Sequence, residues 1–342
     1  MPRKFKISVC GCFDSCVRPW INDLGLVANR DGTFRAITAG SLGSKPGTGV
    51  ATYETLTVGQ IPALVVALLR LFHAEGDRTR RHRARLRHVR ERLGDEVFKD
   101  RLDELFREEA TLDGHGLPRV WRVERDTPLQ AHLHLPLGDL MPEPARELGR
   151  AVREARGELR IGLDHDLLLF GEAMPVLARE LRDLATRAPV VACPGSTWCS
   201  KAIVDSRAAA ERIGRRLTRP GCPTIAVSGC PNNCARSGAA RVGLVGRIQR
   251  VENTPVQGFR VLVGGGEGCD VELARELHPF ISADDIDEAV SWLVGEFRRI
   301  VDCDTAANLD RVIEREFDRL EEACRRRYGG ETLAASDEGA VK

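Results

Sequence analysis

Ala192-Cys-Pro-Gly-Ser-Thr-Trp-Cys199 and, further on, Ser228-Gly-Cys-Pro-Asn-Asn-Cys-Ala-Arg236 carry four cysteines in two spaced pairs, Cys193 with Cys199 (C-x5-C) and Cys230 with Cys234 (C-x3-C). Local chemistry frames each pair. Pro189-Val190-Val191-Ala192 reads as a short buried strand ending at Cys193, and Pro194-Gly195-Ser196-Thr197 is turn chemistry leading to Cys199. A helix is predicted from Cys199 onward, because Ile203, Ala210, Ile213 and Leu217 recur at helical spacing and Arg219-Pro220-Gly221 ends the pattern. A thiol in that first turn would face unpaired N–H groups and the positive end of the helix dipole, which favour the thiolate. The second pair repeats the plan: Thr224-Ile225-Ala226-Val227-Ser228 is β-rich, and Gly229 lets the backbone turn before Cys230.

Three chemistries compete for these thiols. Nothing marks the chain as secreted and its eleven cysteines cannot all pair, which argues against a disulfide framework. Structural zinc usually takes shorter, knuckle-type spacing. Four thiolates on two loops suit a cubane cluster, whose irons each need one cysteine.

The two segments resemble the cluster motif of the sirohaem-dependent sulfite and nitrite reductases. The resemblance implies that Cys193, Cys199, Cys230 and Cys234 ligate one 4Fe–4S cluster and that Cys234 also bridges to the sirohaem iron. Gly258-Phe-Arg-Val-Leu-Val-Gly-Gly-Gly266 belongs to the same pattern.

Self-similarity exposes the architecture. Ile7-Ser-Val-Cys-Gly-Cys12-Phe-Asp-Ser-Cys16-Val-Arg18 lines up with Ile225-Ala-Val-Ser-Gly-Cys230-Pro-Asn-Asn-Cys234-Ala-Arg236 at one constant offset, which continues through Gly25-Leu26-Val27 and Gly243-Leu244-Val245. After a short insertion in the second copy, Phe34-Arg35 matches Phe259-Arg260 and Gly40 matches Gly265. Ile61, Val65, Leu68 and Phe72 then match Ile286, Val290, Leu293 and Phe297, one apolar helix face in both copies. Ahead of the second copy, Ala131–Leu137 alternates like a strand, Pro142–Arg156 has helical spacing, and Leu159–Leu163 and Leu167–Phe170 read as strands, a βαβ-type pattern that suits a ferredoxin-like half-domain.

The expected fold is therefore α/β (α+β), a duplicated nitrite/sulfite reductase architecture. Residues 1–112 form a truncated first-half α/β domain, 113–187 the ferredoxin-like half-domain, 188–328 the second-half cluster and sirohaem domain, and 329–342 a disordered tail. Judged against its own second half, and against the family, the chain corresponds to the C-terminal two-thirds or so of a complete reductase. The missing wall would come from an internal start or from a second polypeptide.

Bulk properties exclude other classes. A formal net charge of +1 gives no global field toward nucleic acid or membrane. The longest apolar run, Ile61 to Phe72, is interrupted by Pro62 and Arg70 and is short for a bilayer. A cytoplasmic, reducing setting is expected. The arginines from Arg78 to Arg92 fall on a predicted helix without interleaved aromatics, and are expected to form a solvated face paired with the acidic Asp100–Glu109 stretch rather than a nucleic-acid patch. Gly264-Gly265-Gly266-Glu267-Gly268 lacks the dinucleotide spacing and reads as a turn after a strand. With no flavin or nicotinamide motif, electrons are expected from a separate ferredoxin-like protein.

Reduction of sulfite to sulfide or nitrite to ammonia takes six electrons at an oxyanion-binding iron, so the protein must supply positive charge. By the family's Leu-Pro-Arg-Lys-Phe-Lys signature, Arg3 faces sirohaem, and Lys4 and Lys6 face the substrate. Lys6 in place of the asparagine frequent in nitrite reductases tips the expectation toward sulfite. Asn232 matches a sirohaem-contacting asparagine. Cys10, Cys12 and Cys16 have no preceding C-x5-C pair and read as a remnant of the duplication, while Cys222, Cys269, Cys303 and Cys324 read as buried thiols. Arg160-Ile-Gly-Leu-Asp-His-Asp166 departs from the family's Arg-Leu-Thr-x-x-Gln-Asn. That departure supports an alternative, a non-catalytic iron–sulfur electron-transfer or assembly subunit; an enzyme like precorrin-3B synthase is opposed by the intact Arg3-Lys4-Phe5-Lys6.

Overall fold

The computed structural model describes residues 1–11, 17–111, 127–218, 222–266, 272–302 and 309–329. Cys12, Cys16, Cys269 and Cys303, the Arg219-Pro220-Gly221 stop and the tail expectation lie outside the described residues. Two compact units divide the chain: Met1–Arg125 with Gly266–Leu273, and Asp126–Gly265 with Ala274–Lys342.

In the first unit a four-stranded sheet is built in sequence order from β1 (Ile7–Cys10), β2 (Leu24–Ala28), β3 (Phe34–Thr38) and β4 (Val50–Leu56), with β1–β2 parallel and the remaining pairs antiparallel. Helix α1 (Ile61–Glu75) starts with Pro62 in its first turn, where a missing N–H costs nothing. Its stripe of Leu64, Leu68, Leu71 and Phe72 lies in one core with Leu24, Leu26 and Ala36 of the sheet and with Phe98 and Leu102 of α3 (Asp95–Ala110). Each such fully buried side chain contributes about 1.5–3 kcal/mol. The span Val58–Glu75 is long and apolar enough to cross a membrane by composition, but here its apolar stripe is the core face of this helix.

The arginine run corrects its expectation. It is not one solvated helix: a 3-10 turn (Arg81–Arg83) precedes the eight-residue α2 (Leu86–Leu93). Arg85 and Arg87 are buried. Arg85 clamps Asp23 through Nη2–Oδ2 at 2.6 Å and Nε–Oδ1 at 3.3 Å, and Arg87 donates to Ser41 Oγ (3.1 Å) and the Lys45 carbonyl (2.6 Å). Glu75, Asp77, Glu91 and Asp95 take Arg92, Arg80, Arg87 and Arg90, so the partners lie outside Asp100–Glu109.

The second unit opens with β5 (Leu129–His134), α4 (Pro142–Glu154), β6 (Glu158–Ile161) and β7 (Asp166–Phe170). Strand β7 sits between β5 and β6 and is antiparallel to both, so β5 and β6 run parallel on either side of it, a split βαβ arrangement. Leu148 and Val152 of α4 pack on Leu133 and Leu169. After the one-turn α5 (Arg179–Asp183), the chain enters a five-stranded sheet. Its elements are β8 (Val190–Ala192), α6 (Gly195–Trp198), α7 (Ser206–Arg216), β9 (Ile225–Ser228), β10 (Val242–Val251), β11 (Thr254–Val263) and β12 (Arg275–Ser282), followed by α8 (Ile286–Asp302) and α9 (Leu309–Tyr328). The order is β12-β11-β10-β9-β8, parallel from β8 to β10 and antiparallel beyond. Helix α9, which the sequence reading did not anticipate, buries Ile313, Phe317, Leu320 and Cys324 in this core.

The duplication is exact in register. Ile7 pairs with Leu24 as Ile225 pairs with Val242, and Leu26 pairs with Ala36 as Leu244 pairs with Val261. Arg18 and Arg236 both adopt left-handed φ (51° and 66°) before matching 3-10 turns, Pro19–Ile21 and Ser237–Ala239. Gly40 N–H donates to the Asn22 carbonyl (2.8 Å) and Gly265 N–H to the Ala240 carbonyl (3.1 Å). Both must be glycine: a Cβ would stand 2.0 Å from the Trp20 oxygen at Gly40, and 2.5 Å from the Ala239 backbone at Gly265. Gly264–Gly266 follow β11 as expected, and Glu267 and Gly268 lie outside the described residues.

Candidate metal centre

Strands β8 and β9, parallel neighbours, end side by side, and each delivers a cysteine loop from its C-terminal end. All four thiols are free. Cys193 is buried, and its Sγ accepts the Gly229 N–H (3.1 Å) and lies 3.3 Å from Ser206 Oγ. The Ser206 hydroxyl in turn donates to the Cys193 carbonyl (3.2 Å). Gly195, at φ +64°, turns the first loop where a Cβ would meet Ser206 Oγ at 2.7 Å.

Cys199 corrects the helix expectation. It follows the four-residue α6, donating its N–H to the Gly195 carbonyl (2.9 Å), while α7 begins only at Ser206. The free N–H groups of α7 are taken by its cap, Asp205, which accepts from Arg207 and Ala208 (3.1 and 3.0 Å). The dipole of the long helix therefore does not serve the Cys199 thiol; the Ser206 start was hidden because the apolar spacing that includes Ile203 runs past the cap.

Cys230 is buried and Cys234 exposed. Burial raises the Cys230 thiol; the Asn232 N–H opposes this, and Cys234, Cys193 and Cys199 add to the rise. The β8–β9 pairing brings the two cysteine loops to neighbouring strand ends, and the Gly229 N–H next to Cys230 donates to Cys193 Sγ (3.1 Å). A bound cation would reverse the balance on Cys230 and favour the thiolates. A single tetrahedral zinc would need sulfurs about 3.8 Å apart, from metal–sulfur bonds of about 2.3 Å. Among the described residues no three His, Cys, Asp or Glu side chains lie close enough to hold one ion. Four thiols on two adjacent loops suit a cubane, with an iron at each corner.

Sequence reasoning passed over what holds the second loop. Asn233, in left-handed φ (60°) and buried, accepts the Gly238 N–H through Oδ1 (3.1 Å). Beneath it Ser237 Oγ donates to the Ala226 carbonyl (2.9 Å) and contacts Ser228 Oγ (2.9 Å), which also accepts the Ala235 N–H (3.1 Å). Arg236 reaches from this loop to the β6–β7 hairpin, donating to the Leu163 carbonyl (3.1 Å) and pairing with Asp164. The departure at Gly162–Asp166 thus supplies an anchor for the cysteine loop. Only the Asn-Asn doublet, whose residue type tolerates left-handed backbone, hinted at this. Asn232 itself is exposed, as is Cys234.

The basic residues belong to the first unit. Phe5 is anchored on Phe72 (ring centroids 6.3 Å apart), and Lys6 N–H donates to Asp23 Oδ2 (2.8 Å). Extended alternation leaves the side chains of Lys4 and Lys6 exposed. Arg3 donates to the Arg81 carbonyl (2.6 Å); burial, then the charges of Arg85 and Arg81, hold its guanidinium below the ordinary value. Cys10 is buried, as expected for a remnant, and Cys324 is buried with its thiol pushed up to about 12.

A duplicated α/β plan with a four-cysteine site in one copy defines a class of iron–sulfur proteins. The chain belongs to the family of the nitrite and sulphite reductase 4Fe-4S domain, whose model matches residues 1–109 and 185–313. A 4Fe–4S cluster and sirohaem are the cofactors of that family. The ferredoxin–nitrite reductase of Synechococcus elongatus is 29% identical over 333 residues, covering 86% of this chain and 63% of the relative. The assimilatory ferredoxin-dependent nitrite reductase of Haloferax mediterranei is 28% identical over 344 residues, covering 87% and 58%. This chain therefore spans about three-fifths of the length of these relatives. The solved structure of the Mycobacterium tuberculosis NirA protein shares the fold, with a TM-score of 0.71 at 20% identity over 94% of this chain and 64% of that one.

Proposed function

We propose that this chain carries the cluster-bearing part of a six-electron nitrite reductase, in which Cys193, Cys199, Cys230 and Cys234 hold a 4Fe–4S cluster. The observation that supports the reading is that two adjacent parallel strands, β8 and β9, each deliver a cysteine pair from their C-terminal ends. The names of the relatives favour nitrite over the sulfite preference drawn from Lys6, and a ferredoxin as electron donor. Cluster and sirohaem supply one-electron steps and an iron site for the oxyanion.

Each residue group has its own task. Cys234 and Asn232, exposed beside buried Cys230 and Cys193, are the members of the loop that would meet sirohaem. The Gly229 N–H on Cys193 Sγ stabilises its thiolate and, by removing charge from the sulfur, tunes the cluster. Arg3 offers charge to the carboxylates of sirohaem. Lys4 and Lys6, fixed by the Phe5 anchor and the Asp23 clamp, attract nitrite and stabilise negative charge on its oxygens.

The test is Cys230→Ser in anaerobically purified protein, with iron and acid-labile sulfide measured beside the visible spectrum. Loss of both is expected; unchanged iron and sulfide would refute the ligand assignment. For the substrate, Lys4→Gln and Lys6→Gln should raise the nitrite KM while leaving iron content intact, and an unaltered KM in both overturns their role.

A further inference from the structure

The β5–β7 half-domain holds both cysteine loops by charge. Arg236, two residues after Cys234, donates to the Leu163 carbonyl (3.1 Å) and pairs with Asp164 in the β6–β7 hairpin. Arg207 follows Ser206, whose Oγ lies 3.3 Å from Cys193 Sγ, and it pairs with Asp139 just after the Pro136–Gly138 turn. One cation is thus tied to each cysteine loop, and each meets a carboxylate of the same half-domain.

The two carboxylate-bearing segments are packed on each other. The Leu135 N–H donates to the His165 carbonyl (2.7 Å), and Gly138, at φ +78°, lies where a Cβ would stand 3.3 Å from the His165 ring. Asp164 precedes that histidine and Asp139 follows that glycine, so one imidazole joins the two anchors. Its Nδ1 is buried without a hydrogen-bond partner. Burial, then the Arg236 charge, hold the ring below the ordinary histidine value; Arg207 adds to this, and Asp164 and Asp139 oppose it. The imidazole is therefore uncharged at neutral pH, and the charges of the two ion pairs cancel.

We propose that Asp164 and Asp139 are positioning residues that hold Arg236 and Arg207 beside the two cysteine loops and so set the reduction potential of the cluster. The inference rests on the ligand assignment of Cys193, Cys199, Cys230 and Cys234 and adds to it a means of tuning. A cluster gains negative charge on reduction, so an unopposed cation nearby favours the reduced form and an unopposed carboxylate the oxidised one. Two residues of backbone span at most about 7 Å, which keeps the Arg236 Cα within that reach of Cys234. Even at ~20 Å, in an effective dielectric of about 20, a unit charge changes a one-electron equilibrium about fourfold. Salt screens partly buried groups such as these only in part.

Reduction potentials, read by electron paramagnetic resonance during dithionite titration of the anaerobically purified, cluster-loaded chain, test it. Asp164→Asn and Asp139→Asn should raise the potential, and Arg236→Gln and Arg207→Gln should lower it. Each shift should be about threefold in the one-electron equilibrium, ~30 mV at ~59 mV per tenfold. Asp164→Asn combined with Arg236→Gln should return to the parent value. A purely structural anchor would shift the potential the same way whichever member of a pair is removed, or not at all, and either result overturns the proposal. Should an Asp164 or Arg236 variant shed its iron, the Arg207–Asp139 pair, whose Asp139 is 66% exposed, gives the reading independently. Iron and sulfide in the parent keep the two claims apart. A parent without them overturns the ligand assignment and this proposal with it, whereas a loaded parent whose potential ignores all four charges overturns the tuning alone.

Discussion

Two adjacent asparagines in Cys230-Pro-Asn-Asn-Cys234 should respond to substitution in opposite ways. Asn233→Ala removes the Oδ1 acceptor of the buried Gly238 N–H (3.1 Å) and places alanine at φ 60°. An unsatisfied buried donor costs about 1–3 kcal/mol, and left-handed backbone costs a non-glycine residue about 1–2 kcal/mol. Asparagine already bears part of the second cost, so the expected loss is about 2–4 kcal/mol. The Ser228 Oγ contact to Oδ1, at 3.4 Å, adds little. Asn233→Gly relieves the backbone but not the orphaned N–H, and should recover about 1 kcal/mol of the loss. Exposed Asn232→Ala should stay within about 0.5 kcal/mol of the parent. Urea unfolding followed by far-UV circular dichroism gives the three values, with cluster absorption at 0 M urea as a second readout. Asn233→Ala within 0.5 kcal/mol of the parent, or Gly no better than Ala, would refute the division into a structural Asn233 and a free Asn232.

Asp23→Ala strands the buried Arg85 guanidinium without its carboxylate and should cost about 3–5 kcal/mol in urea unfolding, with little dependence on salt. Because Asp23 also holds the Lys6 N–H, the same variant should, on the proposed reading, raise the nitrite KM through displaced lysines. In cluster-free protein at pH 8, iodoacetamide followed by peptide mapping should label exposed Cys234 first and Cys324 last. The Cys324 thiol, raised by burial to about 12, holds only about one part in ten thousand as thiolate at that pH and should react only as pH approaches 12 or the helix unfolds. Early labelling of Cys324 in folded protein would contradict its place in the core.

Periodicity and chemical type carried the reading where interactions are local or repeated. The alternation in β5, the stripe of α1 and the constant offset between the two copies depend only on which residues must share a face, so the duplicated sheets were legible in the chain. The start of α7 was not, since a cap is settled by one side chain, Asp205, rather than by a period. Nor was the arginine run: charge pattern alone suggested solvent, whereas Asp23 and Ser41, distant in sequence, draw Arg85 and Arg87 into the interior. The burial of Asn233 beside an exposed Asn232 and the Arg236–Asp164 anchor likewise join segments far apart in the chain. Sequence determined most of the elements and the spacing of the four cysteines, because a period along one strand or helix is enough to define them. Tertiary structure alone decided which polar groups are buried and what each one holds, because that depends on partners brought together only when the sheets close.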